Sequence, residues 1–212
     1  MLPGPMPRET IQCLLGLDIP LRFIRGNGDR EVLALMRGEE TGGVPERFRE
    51  SMIWVARQLN GEDEQILASW PETLRLPIGG LGEVLFCHAT PRNDTEVFTR
   101  LTPENLLLPI FEGLDLPVVV CGHTHMQFDR MIGGTRVVNA GSVGMPFQET
   151  GAFWLLLGPS VELRRTPYDL AGAAARIRET AYPQAREFAA RNVLQPPSEA
   201  EMLRALSRVE LR

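Results

Sequence analysis

Histidine is scarce in this 212-residue chain, which has three. Cysteine is as scarce: there are three, none in C-x-x-C spacing. An odd number without that spacing excludes a disulfide scaffold and argues for a reducing compartment. Positive charge is in deficit too. The formal net charge is −5, and the arginines are interleaved with glutamates rather than clustered. That pattern describes a solvated face and argues against a general nucleic-acid surface. No apolar run approaches the roughly 20 residues that span a bilayer. The opening stretch MLPGPMPRET lacks the apolar core of a secretion signal. These absences leave a cytoplasmic globular protein with no membrane partner as the expectation.

What is present suits a sizeable core, since 43% of the residues are apolar. Ile11, Leu14 and Leu15 follow helical spacing behind Pro7, and Phe48, Met52, Val55 and Leu59 mark a second amphipathic helix. Leu21–Ile24 reads as a short strand ending in the glycine-rich turn RGNGD. TLRLPIGGLGEVLFCHA reads as a hairpin, and so does FDRMIGGTRVVNAG, turned at Gly133-Gly134. PVVVC reads as a fully buried strand, and AFWLLL with VELRRT as a further strand pair. Thr102 is expected to cap a helix that has Pro103 at its first position. After Tyr168 the composition turns to Ala, Arg and Glu at helical spacing, with Leu170, Ala174 and Ile177 on the inner face and breaks at Pro183 and Pro196-Pro197. The economical organisation is one α/β domain over residues 1–212, with 168–212 as its helical C-terminal part.

All three histidines follow strand-like apolar runs. His88 ends EVLFC, and His123 and His125 leave PVVVC in the turn GHTH. Strand ends of α/β folds collect the loops that carry chemistry. Neutral imidazole is the commonest metal donor near neutral pH. On an extended segment, residues two apart point the same way, so His123 and His125 are expected to face one site. Asn27, in GNGD, carries a carboxamide oxygen that also suits a metal, although Asn-Gly alone is a strong turn signal. Cys87 and Cys121 lack zinc-module spacing and read as small buried residues. Ser142, in AGSVG, lacks the setting of a nucleophile elbow.

Taken in order, GN-x-D, a strand ending in His, GHTH and NAGSVG resemble the calcineurin-like metallophosphoesterase family, and within it the small bacterial phosphodiesterase branch. The resemblance implies a β-sandwich of two mixed sheets flanked by helices, with a two-metal site at the strand ends. It assigns Asn27, His88 and His123 to one ion and His125 to the other. It places NAGSVG as a glycine-rich loop near the site. Two such ions about 4 Å apart activate a bridging hydroxide and hold the phosphoryl oxygens of an in-line displacement. Imidazole, amide oxygen and carboxylate together suit Mn, Fe, Ni or Zn better than Ca or Mg.

The chain departs from the family pattern in two ways. The family's D-x-H on its first strand and GD on its second have no counterpart, and MLPGPMPRETI resembles the stretch just after that GD. The first strand–helix–strand unit is therefore expected to be missing, and the 212-residue form to bind at most one ion tightly, to be catalytically weak and to be prone to associate. Asp29 and Asp94 are the carboxylates to inspect as replacements. The second departure is Gly28, where many relatives carry a histidine that protonates the leaving group. Asp29 is then a candidate acid/base group, with a helix cap as the competing role, and Asn27 and Gly28 are candidate substrate contacts. The leading reading is a metal-dependent phosphoesterase acting on phosphodiesters or small phosphomonoesters. A non-catalytic ligand- or partner-binding protein on the same scaffold is the alternative.

Overall fold

The computed structural model describes residues 2–211. β3 (Val118–Cys121) is buried at every position. A strand with no exposed face must be covered on both sides, and β3 lies at the centre of a five-stranded sheet. Its neighbours β2 (Gly82–Cys87) and β5 (Thr135–Asn139) both run parallel to it. β1 (Thr73–Ile78) and β4 (Phe128–Ile132) pair antiparallel with β2 and β5, giving the order β1-β2-β3-β5-β4. Both expected hairpins form. Gly133 turns the second at φ 55, a left-handed conformation that costs glycine little.

The alternation of side chains along the parallel strands sorts the core into two layers. Leu85, Val119 and Val137 face α5 (Glu104–Phe111), which contributes Leu107, Ile110 and Phe111. Burial of each such side chain stabilises by about 1.5–3 kcal/mol. On the opposite face Val84, Val118 and Val120 meet Leu155 and Leu157 of β6 (Ala152–Leu157), which pairs antiparallel with β7 (Val161–Thr166). The expected α/β class is borne out, with a mixed sheet between helices and this two-stranded antiparallel hairpin as the second sheet.

A third cluster is helical. α2 (Asn27–Met36), α3 (Glu46–Gln58) and α4 (Gly61–Ala68) supply Val32, Leu33, Met52, Val55 and Leu67. α6 (Leu170–Arg178) and α7 (Ala185–Phe188), with the π-helical turn Ala189–Leu194, supply Ala174, Ile177, Ala185, Ala189 and Val193. Caps set the helix starts. Asn60 Oδ1 accepts from the Glu62 and Asp63 amides ahead of α4, Asp169 caps α6, and Ser198 caps α8 (Glu199–Leu206).

Three local expectations are corrected. Leu21–Ile24 forms no strand. One backbone bond, from Arg25 N to Pro71 O (2.8 Å), ties its end down, and Phe23 stacks on Trp70 at 4.9 Å. β-propensity alone does not make a strand without a pairing edge. Thr102 does not cap α5. Its hydroxyl accepts from Thr99 N and donates to the Glu210 carboxylate, so Pro103 occupies the cap position. α1 (Pro7–Leu15) buries Ile11, but Leu15 stays 48% exposed, so the inner face is narrower than its spacing suggested.

Candidate metal centre

Because β2, β3 and β5 are mutually parallel, their C-terminal ends fall on one edge of the sheet. That edge is where loops carrying chemistry gather in open α/β sheets. His88 follows β2, the GHTH turn follows β3, and Asn139 ends β5. The ladder continues one residue past the strands. Gly122 N donates to His88 O (2.9 Å) and Ala140 N donates to Cys121 O (2.8 Å), which fixes the loops against one another.

This geometry brings two imidazoles together. His88 Nε2 and His123 Nδ1 lie 3.1 Å apart, with the rings edge to face. His125 is close enough to interact electrostatically with both. Its Nδ1 donates to Met145 O (2.9 Å), and its ring stacks on Phe147 at 5.1 Å. That bond fixes the tautomer and leaves Nε2 with a lone pair. The GHTH turn is not extended, contrary to the sequence reading. His123 and His125 take φ values of 62 and 59, and Thr124 N bonds back to Gly122 O (2.7 Å) across His123. Positive φ at non-glycine residues is strained and clusters at functional sites.

Asn27 is the first residue of α2, and Gly26 precedes it as the cap position. Gly26 packs directly on the His88 ring, so a Cβ there would overlap the imidazole. This contact brings the start of α2 to the histidine pair. Asp29 is buried and takes the cap geometry, with Oδ2 accepting from Gly26 N and Oδ1 from Leu2 N, both at 3.0 Å. Gly28 is buried as well, and a side chain there would overlap the Leu2 carbonyl oxygen. Asp94 faces the site from the loop after His88, held by the Arg30 guanidinium at 2.8 and 3.1 Å. Among the described residues, no three His, Cys, Asp or Glu side chains are gathered so as to hold an ion.

One contributor, the first residue of NAGSVG, had no individual role assigned from the sequence. Asn139 is 1% exposed. It donates to Gly122 O (2.5 Å) and Thr124 Oγ1 (3.1 Å) and accepts from Gly141 N (2.9 Å), clamping GHTH from the neighbouring strand. The available signal was a carboxamide closing the otherwise apolar end of TRVVN. Cys87 and Cys121 are buried as expected, and burial pushes the Cys87 thiol up to about 12, which makes it inert.

Burial also holds the histidines neutral. Desolvation first, and then repulsion from His123, lowers His88 to about 3. Desolvation lowers His125 to about 4, and it lowers His123 against the opposing pull of the Thr95 backbone and Asp94. Unfolded histidine titrates near 6.5. Below that value the unfolded chain takes up protons that the folded chain refuses, so stability present at neutral pH is lost as pH falls from about 6.5 towards the folded values. The chelator-treated protein is therefore expected to show a falling melting temperature between about pH 6.5 and 5, above the window in which carboxylates contribute. His88→Asn should flatten that slope. A melting temperature that stays constant down to about pH 5 would contradict the burial argument.

The family model of the calcineurin-like phosphoesterase superfamily domain matches residues 7–157. A hypothetical protein from Pyrococcus horikoshii OT3 is similar in structure at TM-score 0.72 and 21% identity, over 87% of this chain and 79% of its own. A metallophosphoesterase from Sphaerobacter thermophilus is similar at TM-score 0.64 and 22% identity, over 88% of this chain and 82% of its own. Both likenesses concern the fold. None of the curated proteins matches the chain.

Proposed function

The chain belongs to the calcineurin-like phosphoesterase superfamily, and on that premise we propose that it is a metal-dependent phosphoesterase hydrolysing phosphodiesters or small phosphomonoesters. The observation that carries the reading is the 3.1 Å separation of His88 Nε2 and His123 Nδ1. Two nitrogens bound to one ion at about 2 Å each lie roughly 3 Å apart. Both rings are held neutral by burial, as metal donors must be. In this reading the Asn27 carboxamide is the third donor, and Mn, Fe, Ni or Zn suits the set. His125 is a donor towards a second ion. No carboxylate among the described residues joins these donors, so the chain as it stands is expected to hold one ion tightly.

A divalent ion held by Asn27, His88 and His123 would supply positive charge at the phosphoryl oxygens and would lower the pKa of water so that hydroxide is available as the nucleophile near neutral pH. The protein's own part is positional. Asn139 holds the GHTH turn, and Gly26 lets the start of α2 close onto His88. Gly28 offers no acid to the departing oxygen, so substrates with acidic leaving groups should turn over fastest. The three free cysteines suit a reducing compartment such as the cytoplasm, and the partner in this reading is a small phosphorylated substrate.

The test is hydrolysis of bis-p-nitrophenyl phosphate by purified protein supplied with Mn²⁺. Slow turnover is expected, lost on chelation and restored by added ion, with about one equivalent by elemental analysis. Turnover that is indifferent to chelation would overturn the proposal.

A further inference from the structure

The start of α2 reaches the histidine pair through Gly26, but that contact alone does not hold it there. A second tie joins the same two parts. Arg30, one turn into α2, donates from Nε to Asp94 Oδ2 (2.8 Å) and from Nη2 to Asp94 Oδ1 (3.1 Å). Its remaining nitrogen, Nη1, donates to Glu31 Oε1 (2.7 Å). This two-pronged arrangement fixes angle as well as distance.

Asp94 itself is not free to drift. It lies in the loop that leaves His88, and that loop is bonded internally at every turn. Asn93 Oδ1 accepts from the Thr95 amide (3.0 Å) and the Glu96 amide (2.8 Å). Buried Glu96 accepts from the Thr90 hydroxyl (2.5 Å) and from Arg92 Nε (2.6 Å). Thr90 N donates to Asn93 O (3.0 Å). A rigid loop thus carries the carboxylate at one end and His88 at the other, and Arg30 links it to the helix that begins at Asn27.

We propose that Asp94 is a positioning residue that, through Arg30, sets the spacing between Asn27 and the His88–His123 pair. The proposal rests on the reading of Asn27, His88 and His123 as ligands of one ion. Each Asp94 oxygen accepts from Arg30, and among the described residues Asp94 does not join His88 and His123 in a three-donor group, so its route to the ion runs through the helix.

Calorimetric titration with Mn²⁺ tests this on the full chain. Asp94→Asn and Arg30→Gln should each raise the dissociation constant by about 10–100-fold, the usual effect of losing a group that orients metal ligands. Arg30→Lys, able to reach one carboxylate oxygen, should fall between. A merely structural pair would lower the melting temperature of the chelated protein without changing the dissociation constant. Unchanged affinity in both variants overturns the positioning role. A loss confined to Asp94→Asn also overturns it, because Asp94 would then be a ligand in its own right. If the unaltered protein binds no Mn²⁺, the ligand assignment itself fails and takes the positioning role with it.

Discussion

Replacing His123 with alanine is expected to abolish Mn²⁺-dependent hydrolysis of bis-p-nitrophenyl phosphate. The loss should exceed the roughly 10–100-fold that follows removal of a group outside the ligand shell. His123 supplies one of the two nitrogens that lie 3.1 Å apart, and no other His, Cys, Asp or Glu among the described residues completes a set of three there. The variant should still fold. β3 is held by ladders to β2 and β5 and by the apolar faces on either side, none of which includes the imidazole. Circular dichroism should therefore be unchanged while ion content and turnover disappear together. Undiminished turnover in a folded variant would sink the metal mechanism.

Asn139→Ala should be the most costly single change at the site in stability, at about 2–4 kcal/mol. The carboxamide is buried and makes three hydrogen bonds, to Gly122 O, Thr124 Oγ1 and Gly141 N. Alanine removes one side of all three, leaving Thr124 Oγ1 buried and Gly122 O and Gly141 N part-buried, at a cost of roughly 1–3 kcal/mol for each group that cannot find water. The GHTH turn would lose its clamp, so Mn²⁺ affinity should fall along with the urea midpoint. A midpoint matching that of the unaltered protein would show that water replaces the carboxamide and that the clamp is dispensable.

Much of the frame was legible because its signals are local. PVVVC could only be a strand covered on both faces, and the Gly-Gly step in FDRMIGGTRVVN marked its hairpin. The convergence of His88 and His123 was implied by the family resemblance, and their places after apolar runs agreed with it. What brings them together, the parallel pairing of β2 with β3, is a long-range fact that no spacing encodes. The same limit explains the failure at Leu21–Ile24, whose composition suits a strand but which finds no strand to pair with. Thr102 was misread because a hydroxyl with good cap chemistry had two other partners, Thr99 and Glu210, remote from any cap rule. The dual use of Asp29 as cap and as anchor for Leu2 depends on a residue 27 positions away. Gly28 carried the opposite lesson. Its lack of a side chain read as a missing acid, yet its place against the Leu2 carbonyl gives a steric reason for glycine.

The left-handed backbone at His123 and His125 sets a conflict for anyone altering this protein. Glycine would relieve each position of about 1–2 kcal/mol of strain. At His125 the Met145 bond and the Phe147 stack oppose that gain, so a screen for heat tolerance alone would reward loss of the His123 imidazole, and its winners would be sturdier and inert. The same reasoning gives a rule for library design. Positions 123 and 125 should be held constant, and robustness sought in the helical cluster around Val55 and Leu67, where packing and chemistry do not compete.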